Sequence, residues 1–190
     1  MRIAGINAIK STSQRGLVQH WREIKAERCL PSIEHFAPPK PTHDPRQLML
    51  WAVEGTGDTR SFKTLTHGKF LSEAFGINPL PLQPLHAVVP PALQELVTSS
   101  LNACADAGAP IYTVISTWDD GGRRINCERL LLPFGEERGE PRQIATVMQL
   151  FSQDGTFTRQ AALGYFLAEA KVTFQAQITL DTASVPAAGP

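Results

Sequence analysis

The side chains able to do chemistry in this chain are few and scattered. Cys29, His35 and His43 are of zinc-ligand type, but a closed structural zinc site takes four ligands and this spacing fits none of its patterns, so no metal is expected. Cys104 falls on the apolar face of a helical stretch and Cys127 within an apolar strand. A reactive thiol needs exposure and a depressed pKa, so both read as buried and inert. His86, a lone imidazole beside an apolar run, reads as structural. Arg129 stands apart. It interrupts the otherwise largely apolar stretch from Cys127 to Pro133. On a strand, alternation places Cys127, Arg129 and Leu131 on one face and Glu128, Leu130 and Leu132 on the other. An arginine aimed from a strand into a pocket can hold a carboxylate or phosphate through two parallel hydrogen bonds. The alternative is an internal ion pair or a side chain that snorkels to the surface.

No enzyme signature accompanies these residues. The glycines at 55, 57, 121 and 122 sit in turns, without the strand-to-helix setting of a phosphate-binding loop. Neither a Gly-x-Ser-x-Gly nor a His-Glu-x-x-His stretch occurs. The expectation is a protein that is not an enzyme and carries no cofactor. Trp21, Trp51, Phe62, Phe70, Phe75 and Trp118 could line a cavity or form plain core.

Charge and composition narrow the partners. The chain has 190 residues with 18 basic and 18 acidic side chains, a net charge of zero that argues against nucleic acid. No apolar run approaches the roughly 20 residues that cross a bilayer. Met1 to Ser13 lacks the apolar core of a signal peptide. No membrane association is therefore expected, and an odd number of well-separated cysteines suits the reducing cytoplasm.

The elements that must position these residues follow from periodicity. Gln14 to Cys29 predicts an amphipathic helix with a stripe through Leu17, Trp21 and Ile24. A proline-rich strap follows, from Ala37 to Pro45. Leu48 to Glu54 and Ser61 to Thr66 predict two strands, and Lys69 to Phe75 a short helix ended by Gly76. Pro90-Pro91 opens a long helix that runs to Ala107 and stops at Gly108. Ile111 to Trp118, Arg124 to Pro133 and Gln143 to Phe151 predict a meander whose first turn is Asp119-Asp120-Gly121-Gly122. Arg159 to Glu169 has helical composition, Lys171 to Leu180 alternates like a strand, and Ala183 to Pro190 reads as disordered. The division is residues 1–44 as N-terminal helix and strap, 45–152 as the main domain, and 153–190 as a partly disordered extension. The fold expected is α+β: one five-stranded antiparallel sheet with helices on one face.

In this order, Trp21, Pro31, Phe62, Phe75-Gly76, the Pro91 to Ala107 helix, Gly121-Gly122-Arg123 and Glu128-Arg129-Leu130-Leu131-Leu132-Pro133 resemble the PAS superfamily. The likeness is to the single-domain PAS-like proteins of alphaproteobacteria, over Leu17 to Phe151. Lys63 stands where the family usually has arginine, Thr66-His67 near its usual Gly-Thr, and Ile77-Asn78-Pro79-Leu80 in place of its Asp-Leu-Thr-Gly.

The resemblance implies a sheet curled around a cavity roofed by helices, and a sensory or interaction module for signal transduction. No fused output domain is expected, so output would pass by contact with a protein partner. The N-terminal helix would pack on a sheet face or form a homodimer contact through Trp21. In haem-binding members a pocket histidine ligates iron; His86 is not expected to. The cavity should lie between the long helix, through Leu93, Leu96, Val97, Leu101 and Cys104, and the sheet, through Phe62 and either Val114 and Ser116 or their alternates. Phe75 would close one end. Arg129, Ser116 and Gln149 would orient an unknown small molecule.

Overall fold

The computed structural model describes residues 1–37, 45–69, 81–118, 124–136, 139–152 and 170–179. The chain opens with a short strand, β1 (Arg2–Gly5), and a helix, α1 (Thr12–Lys25). Ser11 starts this helix: its hydroxyl accepts a hydrogen bond from the Gln14 N–H at 3.2 Å, which satisfies one of the free amides of the first turn. Arg22 and Lys25 in the last turn offset the negative end of the helix dipole.

Two antiparallel strands follow, β2 (Leu48–Glu54) and β3 (Ser61–His67). The turn between them begins at Gly55, whose φ is +72° and where a Cβ would fall 2.6 Å from the Thr59 carbonyl oxygen. A one-turn helix, α2 (Leu85–Val88), leads into α3 (Pro91–Ala107). Both ends of α3 are local: Pro91 needs no hydrogen-bonding N–H in the first turn, and Gly108 closes the helix in a left-handed conformation. The remaining strands are β4 (Ile111–Trp118), β5 (Arg124–Gly135), β6 (Pro141–Ser152) and β7 (Lys171–Thr179).

The class is α+β, but the sheet differs from the one expected. It has seven strands in the order β1-β7-β4-β5-β6-β2-β3, and β1 pairs with β7 in parallel while the other pairings are antiparallel. Of the two added strands, β1 precedes the helix in the segment 1–44 read as N-terminal helix and strap, and β7 falls in the segment 153–190 read as a C-terminal extension. The β7 pattern was legible; its place beside β4 was not, because pairing across so long a separation leaves no local mark.

Helices cover both faces rather than one. On one face α2 and α3 bury Trp51, Val53, Phe62, Ile115, Ile125, Cys127 and Leu131. On the other, α1 buries Tyr112, Leu130, Leu132, Phe134, Ala145 and Val147. This is why β4 and β5 are buried along almost their whole length: each successive side chain meets a covered face.

The apolar stripe of α1 is buried within the chain. Leu17, Val18 and Trp21 pack on the sheet, and the Trp21 indole N–H donates to the Pro133 carbonyl at 2.7 Å. Trp21 is 4 % exposed and Ile24 half-buried, so of the two placements expected for this helix Trp21 takes the sheet face of its own chain. Gln14 reaches deeper. Its side-chain amide donates to the carbonyls of Glu128 and Val147, bridging β5 and β6. On the α3 face, Arg60 pairs with Asp106 at 2.7 Å and anchors the end of α3 beside the start of β3.

The expected short helix from Lys69 to Phe75, the Asp119 to Gly122 turn, the helical stretch Arg159 to Glu169 and the terminal residues Ala183 to Pro190 lie wholly or almost wholly outside the described residues.

Candidate functional site

Between α3 and the sheet lies a cavity of about 60 Å3. Its roof is Val88, Val89, Pro90, Leu93, Leu96 and Val97, from the α2–α3 junction and the first turns of α3. Its floor comes from the strands: Met49 and Trp51 of β2, Ile115 of β4, Cys127 and Arg129 of β5, and Thr146, Met148 and Leu150 of β6. His67, at the end of β3, completes the described lining. The register explains this floor. Ile115 pairs with Cys127, and Arg129 with both Thr113 and Met148, so these side chains share one face.

Arg129 is the charged group of the floor. It is 3 % exposed, and its Nη1 has no hydrogen-bond partner. No carboxylate forms an ion pair with it among the described residues. Burial pulls its pKa below the ordinary arginine value. Three further polar groups on this face lack a hydrogen-bond partner: the Trp51 indole N–H and the hydroxyls of Thr113 and Thr146. Burial pushes the Cys127 thiol up to about 12, with the Arg129 charge opposing that rise. Burial raises Cys104 as well. Neither thiol is poised to act as a nucleophile. Burial also lowers the His67 pKa, against a backbone hydrogen bond involving Gly68 that raises it.

The expected site residues divide into four groups. Leu96 and Arg129 line the cavity, as do Leu93 and Val97. Phe62, Leu101 and Cys104 lie on the same side but pack in the core away from the cavity lining. The Cys104 thiol faces the Ala109 carbonyl at 3.7 Å. Ser116 and Gln149 point to the opposite face, which corrects their assignment as handles. The Ser116 hydroxyl donates to Asn126 Oδ1 at 2.6 Å and accepts from Arg124 at 3.1 Å, while Gln149 donates to the Ser13 hydroxyl at 2.8 Å. The alternates on β4, Thr113 and Ile115, take the inward places. Phe75 lies outside the described residues.

Sequence reading missed Met49, Thr146, Met148 and Leu150 as lining residues. Their alternation was visible, but nothing local says which alternate set of a strand faces a particular helix. Trp51 belongs to the aromatic set and does line the cavity; Trp118 is 53 % exposed and does not. His86 is exposed on α2. Cys29 is a free, exposed cysteine, and His43 lies outside the described residues. Among the described residues no cluster of three or more histidine, cysteine, aspartate or glutamate side chains could hold a metal ion. No helix among them is long and apolar enough to cross a membrane.

The opposite face carries a second polar cluster beside the start of α1. Glu128, Asn126 and Gln149 face Lys10, Ser11, Thr12 and Ser13 there. Burial raises the Glu128 pKa, against the opposing pull of the Tyr112 hydroxyl, Lys10 and the Ser11 amide.

No protein-family model matches the chain, and no curated protein matches it in sequence.

Proposed function

We propose that this chain is a PAS-type sensory or interaction module of signal transduction, holding a small molecule between α3 and the sheet and relaying its presence by contact with another protein. The observation that carries this reading is the cavity itself: largely apolar walls with one buried guanidinium, the composition that binds and orients a small ligand. The order of elements supports it too. Two strands, helices and a three-stranded meander close into one antiparallel stretch, β4-β5-β6-β2-β3, over a helix-roofed cavity, as the family resemblance implies. For the relay, Trp118 and Phe151 are 53 % and 41 % exposed at one end of the sheet, on the strands that flank β5.

The test is mass spectrometry of small molecules released from the purified protein on denaturation, beside a Leu93→Trp variant whose indole fills the cavity. A defined compound, present in the wild type and lost in the variant, supports the sensor. Turnover of that compound would support instead a small enzyme using the same cavity. No compound, together with a variant more stable than the wild type, would leave a ligand-free adaptor.

A further inference from the structure

We propose that the cavity takes a short-chain apolar monocarboxylate, its carboxylate paired with the Arg129 guanidinium and its hydrocarbon part held under α3. This rests on reading the cavity as a binding site and names the class of ligand.

The argument begins with an imbalance of charge. A guanidinium removed from water loses several kcal/mol of hydration, and an opposite charge with good geometry must offset that loss. Arg129 is buried, its Nη1 has no partner, and no described carboxylate pairs with it. Glu128, next in sequence, is on the other side of the sheet. A bound anion would supply the missing charge.

The neighbouring polar groups narrow the kind of anion. Trp51 Nε1 can only donate, and the hydroxyl of Thr146, also in the lining, is free to donate. With the fork of Arg129 they present several donors on one face, and a carboxylate offers two oxygens with about four lone-pair positions to receive them.

The rest of the lining sets the body of the ligand. No carboxylate among the described lining residues would hold an ammonium, which argues against an amino acid. Arg129 is the lone arginine or lysine among them, which argues against a dicarboxylate. Met49, Leu93, Leu96, Val97 and Met148 offer only apolar contact. Size follows from volume. If roughly 10–15 Å3 admits one water-sized group, a cavity of about 60 Å3 admits about four to six. That is the range from acetate to butanoate.

The experiment titrates wild-type protein with acetate, propanoate, butanoate and hexanoate, and with the neutral amide and the amine corresponding to butanoate. Calorimetry reads affinity, and the isotope-labelled Arg129 side-chain N–H signals read the site. Expected are saturable binding of butanoate, a shift of the Arg129 signals, no binding of amide or amine, and a loss of about 10- to 100-fold in Arg129→Met, the range for a hydrogen-bonded charge. If Arg129→Met fails to fold, the wild-type Arg129 signals decide: their failure to move when butanoate saturates overturns the proposal. Equal binding of acid and amide, or undiminished binding in Arg129→Met, overturns the acid class and leaves the cavity standing as a binding site. If no probe binds and no compound is released on denaturation, the binding-site reading falls and the ligand class with it.

Discussion

Glu128 and Arg129 are consecutive residues of β5 whose side chains lie on opposite sides of the sheet, so two buried groups of opposite charge never meet. Each is set in its own surroundings. Glu128 has the Tyr112 hydroxyl, Lys10 and the Ser11 amide around it. Arg129 has an apolar cavity and donors without partners. The strand pleat, which turns successive side chains through half a revolution, keeps them apart.

The Glu128 carboxyl makes stability depend on pH in a definite direction. Its folded pKa is raised above the ordinary 4.5, so the native state holds the proton more tightly than the unfolded chain does. Its stabilising share is complete below that ordinary value and is lost as pH rises through the folded pKa. Glu128→Gln should therefore match the wild type under acid conditions and become progressively more stable than it as pH rises toward neutrality. Denaturant midpoints across that range measure this. A variant advantage that is flat, or that grows toward acid, would count against a raised folded pKa.

Trp21→Phe keeps an aromatic ring on α1 but removes the N–H that the Pro133 carbonyl accepts at 2.7 Å. The loss should be about 1–3 kcal/mol, from an unmet buried acceptor and a smaller side chain. Because Trp21 packs within its own chain, sedimentation should show the same association state as the wild type. A change of association with unaltered stability would show that this side chain belongs to an intermolecular contact.

The three cysteines should differ sharply in reactivity. Cys29 is exposed, whereas Cys104 and Cys127 are buried and their thiols are raised by that burial. A thiol reagent in mildly alkaline buffer should modify Cys29 alone in the native protein, the other two only after denaturant is added. Fast native labelling at Cys127 would mean that the cavity floor opens to solvent.

Ser116→Ala and Gln149→Ala should leave butanoate affinity within about twofold of the wild type, since both side chains face away from the cavity and share no partner with it. Thr146→Val, which loses a hydroxyl on the cavity floor, should weaken it by about 2- to 10-fold. The reverse pattern, measured by calorimetry, would relocate the binding site to the α1 face.

Local physics made part of this molecule legible from residues alone. The bounds of α3 follow from Pro91 and Gly108, whose backbone preferences act within a turn. The division of β5 into a Cys127-Arg129-Leu131 face and a Glu128-Leu130-Leu132 face follows from the pleat. What alternation leaves open is which set meets which layer. In β4 every residue from Ile111 to Thr117 is buried, so no contrast of polar and apolar positions marks one face. The pairing of Ile115 with Cys127 put Ser116 on the α1 side. Gln149 looked like a handle because it is polar in an apolar strand; its polarity serves instead the hydrogen bond to Ser13 at the start of α1. Tertiary structure alone decided the parallel pairing of β1 with β7 and the covering of the second face by α1. Those contacts join residues more than a hundred positions apart, and a packing partner that distant leaves no local pattern by which to recognise it.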